Sequence, residues 1–136
     1  MDNKRQKRIE AVIAPHLPAT DPVAGRETPV RVTEAQAIAT PIPAGQRSAL
    51  MMSHGSMQVK YYAPRGIDEQ SPHSQDELYV VIRGTGSFLC GERRHPFGPG
   101  DVLFAPAGVH HRFEDFSDDF GVWVIFYGPE GGEKPR

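Results

Sequence analysis

From residue 46 onward, apolar and polar positions follow the grammar of short strands. Met57–Tyr62 alternates, and Leu78–Ile82 is rich in β-branched residues. Thr85–Cys90 begins within the glycine pair Gly84 and Gly86, and Arg93–Phe97 follows a Gly91-Glu92 turn. Asp101–Ala105 comes after Gly98-Pro99-Gly100, Val109–Phe113 after Pro106-Ala107-Gly108, and Phe120–Tyr127 closes the series. Short strands at regular spacing, punctuated by glycine and proline, predict an all-β sandwich or barrel. Phe120–Tyr127 lacks alternation, so both faces of that strand should be covered.

The first 45 residues read differently. They hold six of the thirteen prolines (Pro15, Pro18, Pro22, Pro29, Pro41 and Pro43), a density that excludes long helices and central strands. Lys4–Ala14 places Ile9, Val12 and Ile13 at helical spacing before Pro15. Thr33-Glu34-Ala35-Gln36 reads as a capping box opening a short helix near residues 33–40. Val32, Ala35 and Ile38 are its expected packing set. The resulting division is an N-terminal arm over residues 1–45, a β domain over 46–128 and a loose polar tail over 129–136.

Composition narrows the class. With 38% hydrophobic and 24% charged residues, the chain has the make-up of one globular domain. A formal charge of −2 gives no global reason to expect nucleic acid or an acidic membrane surface. The basic group Lys4, Arg5, Lys7 and Arg8 reads as a solvated terminus. A single cysteine, Cys90, excludes an internal disulfide framework and fits a reducing, cytoplasmic setting. The longest apolar run, Val122–Tyr127, is far too short for a membrane helix, and no apolar stretch of signal-peptide kind follows the basic start.

Six histidines are the candidate chemistry. His73 and Glu77 flank Ser74-Gln75-Asp76, just before the run Leu78–Ile82; His111 follows a Pro-x-Gly turn. Imidazole and carboxylate together suit a borderline divalent metal. Strand parity puts Glu77, Tyr79 and Val81 on one face, and Val109, His111 and Phe113 on one face of a later strand. That leaves His111 inward and His110 outward with Arg112. His54, beside Gly55, reads first as a turn residue and second as a candidate for the same mouth; His16 and His95 read as solvated. Cys90 reads as a small packed hydrophobe.

Two segments resemble the paired signature of the cupin superfamily, small jelly-roll barrels built as a double-stranded β-helix. Glu77 and Gly84 have the spacing that ends the first motif, and His73 falls on its second histidine. Gly100, Pro106, Gly108 and His111 match the second motif position for position, with Asp115 where asparagine is usual. The resemblance runs from about Gln46 to Tyr127. One departure stands out: Ser71 occupies the place of the first motif's leading histidine. Serine is a poor ligand for a divalent metal. Gln70 and Glu69 are the nearest substitute oxygens. Glu69 has the strand parity, Gln70 would need a bulge, and the sequence does not choose between them.

The resemblance implies a cupin-like β-barrel with a short N-terminal arm carrying a small helix. It also implies a divalent ion, Fe(II), Mn(II) or Zn(II), held by His73, Glu77 and His111, a composition that leaves positions open for a substrate. No organic cofactor is expected. The function expected is a small metal-dependent enzyme, dioxygenase-like oxidoreductase or isomerase, acting on a small organic molecule; a non-catalytic binding or sensor module is the alternative. A homodimer is the expected assembly, with neither nucleic acid nor membrane as partner.

Overall fold

The computed structural model describes residues 28–136; Lys4–Ala14, the basic group and the rest of the arm up to residue 27 lie outside the described residues. One helix, α1 (Glu34–Ala39), precedes eight strands: β1 (Ala49–His54), β2 (Met57–Tyr62), β3 (Asp76–Arg83), β4 (Gly86–Cys90), β5 (Arg93–Phe97), β6 (Val102–Ala105), β7 (His111–Glu114) and β8 (Gly121–Tyr127). They form a five-stranded sheet in the order β1-β2-β8-β3-β6 and a three-stranded sheet in the order β5-β4-β7. Neighbouring strands pair antiparallel. The all-β architecture expected from the strand pattern is the one observed.

The main core lies between the sheets. Tyr62, Tyr79, Val81, Val122 and Val124 from the larger sheet meet Phe88, Phe97 and Phe113 from the smaller, with Phe120 wholly buried among them. Edge-to-face and tilted pairs run through it, including Tyr79–Phe113 with ring centroids 4.8 Å apart and Phe113–Phe120 at 4.7 Å. Gly84, at the β3–β4 turn, has φ +94°, and a Cβ there would meet the Phe120 Cα at 2.6 Å. That close approach explains why this turn carries glycine.

Helix α1 begins as its sequence predicts. Gln36 N–H donates to the Thr33 hydroxyl, and Thr33 N–H donates to the Gln36 side-chain oxygen at 2.8 Å. Its buried face differs from the expected one. Gln36 and Ala37 are buried, while Ala35 and Ile38 are exposed. Ala37 packs with Ala49, Met51 and Tyr61 on the outer side of the larger sheet, beside Val32 and Trp123. A six-residue helix is too short for an apolar stripe to define its seat, so the sheet surface decides.

Two further differences concern the ends of the domain. Strand β1, Ala-Leu-Met-Met-Ser-His, has no β-branched residue and is not predicted as a strand; pairing with β2 creates it, with a register shift between Leu50 and Met52 that leaves Met51 fully buried. The polar tail expected to be loose is tied down through residue 133. Gly131 N–H donates to the Ser74 carbonyl at 2.6 Å, and Glu133 N–H to the Asp76 carboxylate at 2.8 Å. Asp76, itself buried, also accepts from Ala107 N–H at 2.9 Å.

Candidate metal centre

Strand β3 turns Asp76, Glu77, Tyr79 and Val81 into buried positions while Leu78, Val80 and Ile82 are only half-buried, so the predicted parity of Glu77, Tyr79 and Val81 is the observed one. On β7, His111 and Phe113 are buried and His110, just before the strand, is exposed. His73 lies in the irregular stretch before β3. A single backbone bond joins it to the other motif, since Gly108 N–H donates to the His73 carbonyl at 2.8 Å. Gly108 does so from φ +76°, a conformation glycine adopts without strain. Asp115, in the motif position where asparagine is usual, has φ +51°, a left-handed conformation that Asn and Asp tolerate better than most residues.

His73, Glu77 and His111 come together, with one ligand atom from each within 4.8 Å of the others. Glu77 Oε2 is 2.7 Å from His73 Nδ1, and Glu77 Oε1 is 3.3 Å from His111 Nε2. Both approaches fall outside hydrogen-bond geometry. His73 Nδ1 and both Glu77 oxygens are therefore buried without a hydrogen-bond partner among the described residues. Burial by itself would raise the Glu77 pKa, but the neighbouring His111, His73 and Tyr79 outweigh it and hold the group at about 2. Glu77 is thus a buried carboxylate, which is costly unless a cation accompanies it.

The surrounding hydrogen bonds have a direction. Asp68 is buried and accepts from Tyr62 OH, from Phe113 N–H at 2.8 Å and from the Gln70 amide at 2.7 Å. That fixes the Gln70 oxygen toward Tyr79, whose hydroxyl donates to it at 3.0 Å. Burial, followed by the charge of Glu77, pushes the Tyr79 pKa well above its ordinary value, so the phenol stays protonated. The Tyr79 hydroxyl oxygen also sits 3.1 Å from His111 Nε2, while His111 Nδ1 bonds the Val109 carbonyl at 2.9 Å. With Nδ1 donating and the Tyr79 proton committed to Gln70, Nε2 faces a phenol lone pair and a carboxylate. Only a proton or a metal cation satisfies it there. Burial lowers the His111 pKa, and Glu77 together with the Val109 carbonyl more than reverses this, leaving it raised. The donor set, two imidazoles and one carboxylate, suits a divalent transition metal.

An open cavity of about 290 Å³ leads to this cluster. His73, Glu77 and Tyr79 form its inner wall, with Gln70, Val124 and Phe126 beside them and Arg47, Lys60, Glu69 and Ser71 toward the mouth. Phe126 stacks edge-on against His73, centroids 4.9 Å apart. Gln70 is the inward member of the pair left open by Ser71. Glu69 points to the rim, where its carboxylate is 3.7 Å from Arg47. The strand-parity argument for Glu69 fails because residues 63–75 form no strand. His54 is exposed at the end of β1, beside the turn, and is not among the residues lining the cavity. Cys90 packs against the main core, and burial, then Glu77, raises its pKa. Asp68, Tyr79, Phe126 and Lys60 were not singled out as site residues by the sequence.

Comparison with known proteins bears on the same residues. A family model described as a cupin domain matches residues 58–127. An uncharacterised protein of Streptomyces coelicolor is 41% identical over 63 residues, covering 46% of this chain and 60% of that protein. Acireductone dioxygenase of Leishmania infantum is 33% identical over 79 residues, covering 46% of this chain and 23% of the dioxygenase. The chain thus spans less than two thirds of these curated relatives. A crystal structure of a cupin 2 conserved barrel domain protein from Salinispora arenicola superposes with a TM-score of 0.56, over 76% of this chain and 91% of that one, at 16% identity. At that identity the likeness is one of fold.

Proposed function

The chain belongs to the cupin family, and from that premise we propose that it is a metal-dependent enzyme acting on a small organic molecule, with His73, Glu77 and His111 as the protein ligands. The observation that carries this reading is the orphaned set of buried atoms, His73 Nδ1 and both Glu77 oxygens, converging with His111 Nε2. A divalent ion bound there supplies a Lewis acid with positions open to substrate oxygens, and Fe(II), Mn(II) and Zn(II) all suit the donors. The rest is done by the chain itself. The Val109 carbonyl fixes the His111 ring so that Nε2 is turned to Glu77 and the Tyr79 hydroxyl. Asp68 orients Gln70, and Gln70 holds the Tyr79 proton away from His111. Val124 and Phe126 give the cavity an apolar wall that restricts water around the substrate.

The dioxygenase among the relatives supports an oxidoreductase step over isomerisation. Assembly as a homodimer and a cytoplasmic setting complete the reading; the lone Cys90 supports the latter. Among the described residues no helix is long and apolar enough to cross a membrane.

The test is anaerobic loading with Fe(II), Mn(II) or Zn(II) followed by elemental analysis. The wild-type chain should retain a stoichiometric ion. His73→Ala, Glu77→Ala and His111→Ala should each lose most of it, because removing one of three protein ligands removes most of the affinity. Full metal content in His111→Ala would overturn the assignment. Oxygen uptake or product formation with small acids and phenols then separates an enzyme from a module that binds without turnover.

A further inference from the structure

We propose that Lys60 is an anion-recognition residue of the cavity and that the molecule bound there is a small organic carboxylate. This rests on the metal reading above and assigns the class of compound that the site takes.

Lysine has no ordinary reason to stand where Lys60 does. On β2, Lys60 pairs with Val124 and shares a face with Tyr62, which pairs with Val122. Tyr62, Val122 and Val124 all belong to the main core. Lys60 is therefore on the inner face of the barrel, and it lines the cavity. Its ammonium lies over the Phe126 ring, 5.6 Å from the centroid, and the same ring packs against His73. One aromatic ring thus separates the ammonium from a proposed metal ligand. Among the described residues no carboxylate pairs with Lys60, whereas the other cation at the mouth, Arg47, is engaged with Glu69.

Charge points the same way. A divalent ion held by His73, Glu77 and His111 would outweigh the single carboxylate of that donor set and leave the inner end of the cavity net positive. Arg47 and Glu69 cancel at the rim. Lys60, with no carboxylate partner among the described residues, adds positive charge along the wall. A cavity with positive charge at its end and wall, lined elsewhere by Val124 and Phe126, is complementary to a small organic anion with an apolar body. The carboxylate would meet Lys60, with the rest of the molecule extending toward His73 and Glu77.

The experiment uses the full chain loaded with redox-inert zinc(II). Acetate, lactate, succinate, benzoate, their neutral amides and inorganic phosphate are titrated by calorimetry into the wild type, Lys60→Met and Lys60→Arg, with zinc content measured in parallel. Lys60→Met keeps an unbranched apolar stem but removes the charge. The expected result is that at least one carboxylate binds and its amide does not. Lys60→Met should then weaken the tightest carboxylate by at least ~10-fold, Lys60→Arg should retain it within ~3-fold, and zinc content should be unchanged in both. The inference is overturned if no carboxylate binds at ~10 mM, if Lys60→Met binds as the wild type does, or if phosphate binds more tightly than every carboxylate. A chain that retains no zinc overturns the metal reading instead, and the Lys60 comparison is then judged by the same criteria on the metal-free protein.

Discussion

Asp68 shows how much one buried carboxylate can organise. Three donors converge on it, Tyr62 OH, Gln70 Nε2 and Phe113 N–H, and through them it links the β2 wall, the loop before the site and β7. Asn at this position would present an amide group to a site that offers only donors. Asp68→Asn should therefore lower stability by about 2–3 kcal/mol in urea denaturation at neutral pH, with the larger part coming from the unmatched donor. Tyr61 behaves differently, because its consequence appears at high pH. Burial, then the hydrogen bond to Glu34 at 2.7 Å, raises its pKa from 10.0 to about 12. The neutral phenol is the form favoured in the fold, so this contribution is fully present below pH 10 and is lost as pH rises toward 12. Denaturation midpoints at pH 9 and pH 11.5 should fall more steeply with pH in the wild type than in Tyr61→Phe. Equal slopes would show that Tyr61 does not carry the alkaline loss.

Among the elements, the turn before β7 bears most directly on the site. Gly108 joins the two motifs through the His73 carbonyl, and its φ of +76° is strained for any residue with a Cβ. Gly108→Ala meets no atom within 4 Å, so its cost is conformational, about 1–2 kcal/mol. The matched comparison is Gly55→Ala in the β1–β2 turn, where φ is +56° and space is equally open. Both variants should lose similar stability, but only Gly108→Ala should also weaken metal binding, by ~10-fold or more in a competition titration with a chelator. Equal metal affinity in the two variants would remove the turn from the account of the site. Local chemistry made this turn, the β3–β4 turn and the cap of α1 legible in the sequence. The seat of α1 was not legible, because Ala37 and Gln36 are buried by the sheet surface they meet and not by a stripe of their own.

At the scale of the whole molecule, the outer face of the five-stranded sheet is only partly covered by the described residues. Register places Val59, Ile125, Leu78 and Phe104 in one row across it, and Tyr61, Trp123, Val80 and Val102 in the next. Helix α1 covers the Tyr61 and Trp123 end. At the β6 edge, Val102 is 62% and Phe104 47% exposed. The absence of polar alternation in Phe120–Tyr127 is thus answered by the core on one side and in part by α1 on the other, where the proposed second subunit would cover the rest. Sedimentation of the full chain at ~10 μM should give a dimer, and Phe104→Glu should shift it to monomer while leaving metal content unchanged. A wild-type monomer at that concentration would overturn the proposed assembly.

What the sequence determined by itself was whatever depends on neighbours along the chain. Strand period, glycine and proline punctuation and the Thr33–Gln36 box act over a few residues, so the strands from Met57 onward, the inward parity of Glu77 and His111, and the start of α1 could be read directly. The tertiary structure decided the rest. It made a strand of Ala49–His54 by pairing it with β2, docked the tail on Ser74 and Asp76, and turned Gln70 rather than Glu69 inward from an irregular segment to which no strand parity applies. It also chose the face of β2. Alternation in Met57–Tyr62 marks Met57, Val59 and Tyr61 as the apolar set, yet Lys60 and Tyr62 face the interior, because the outer surface of this sheet is apolar as well. A strand with apolar partners on both sides cannot reveal from its own period which side is the core; only the element packed against it can.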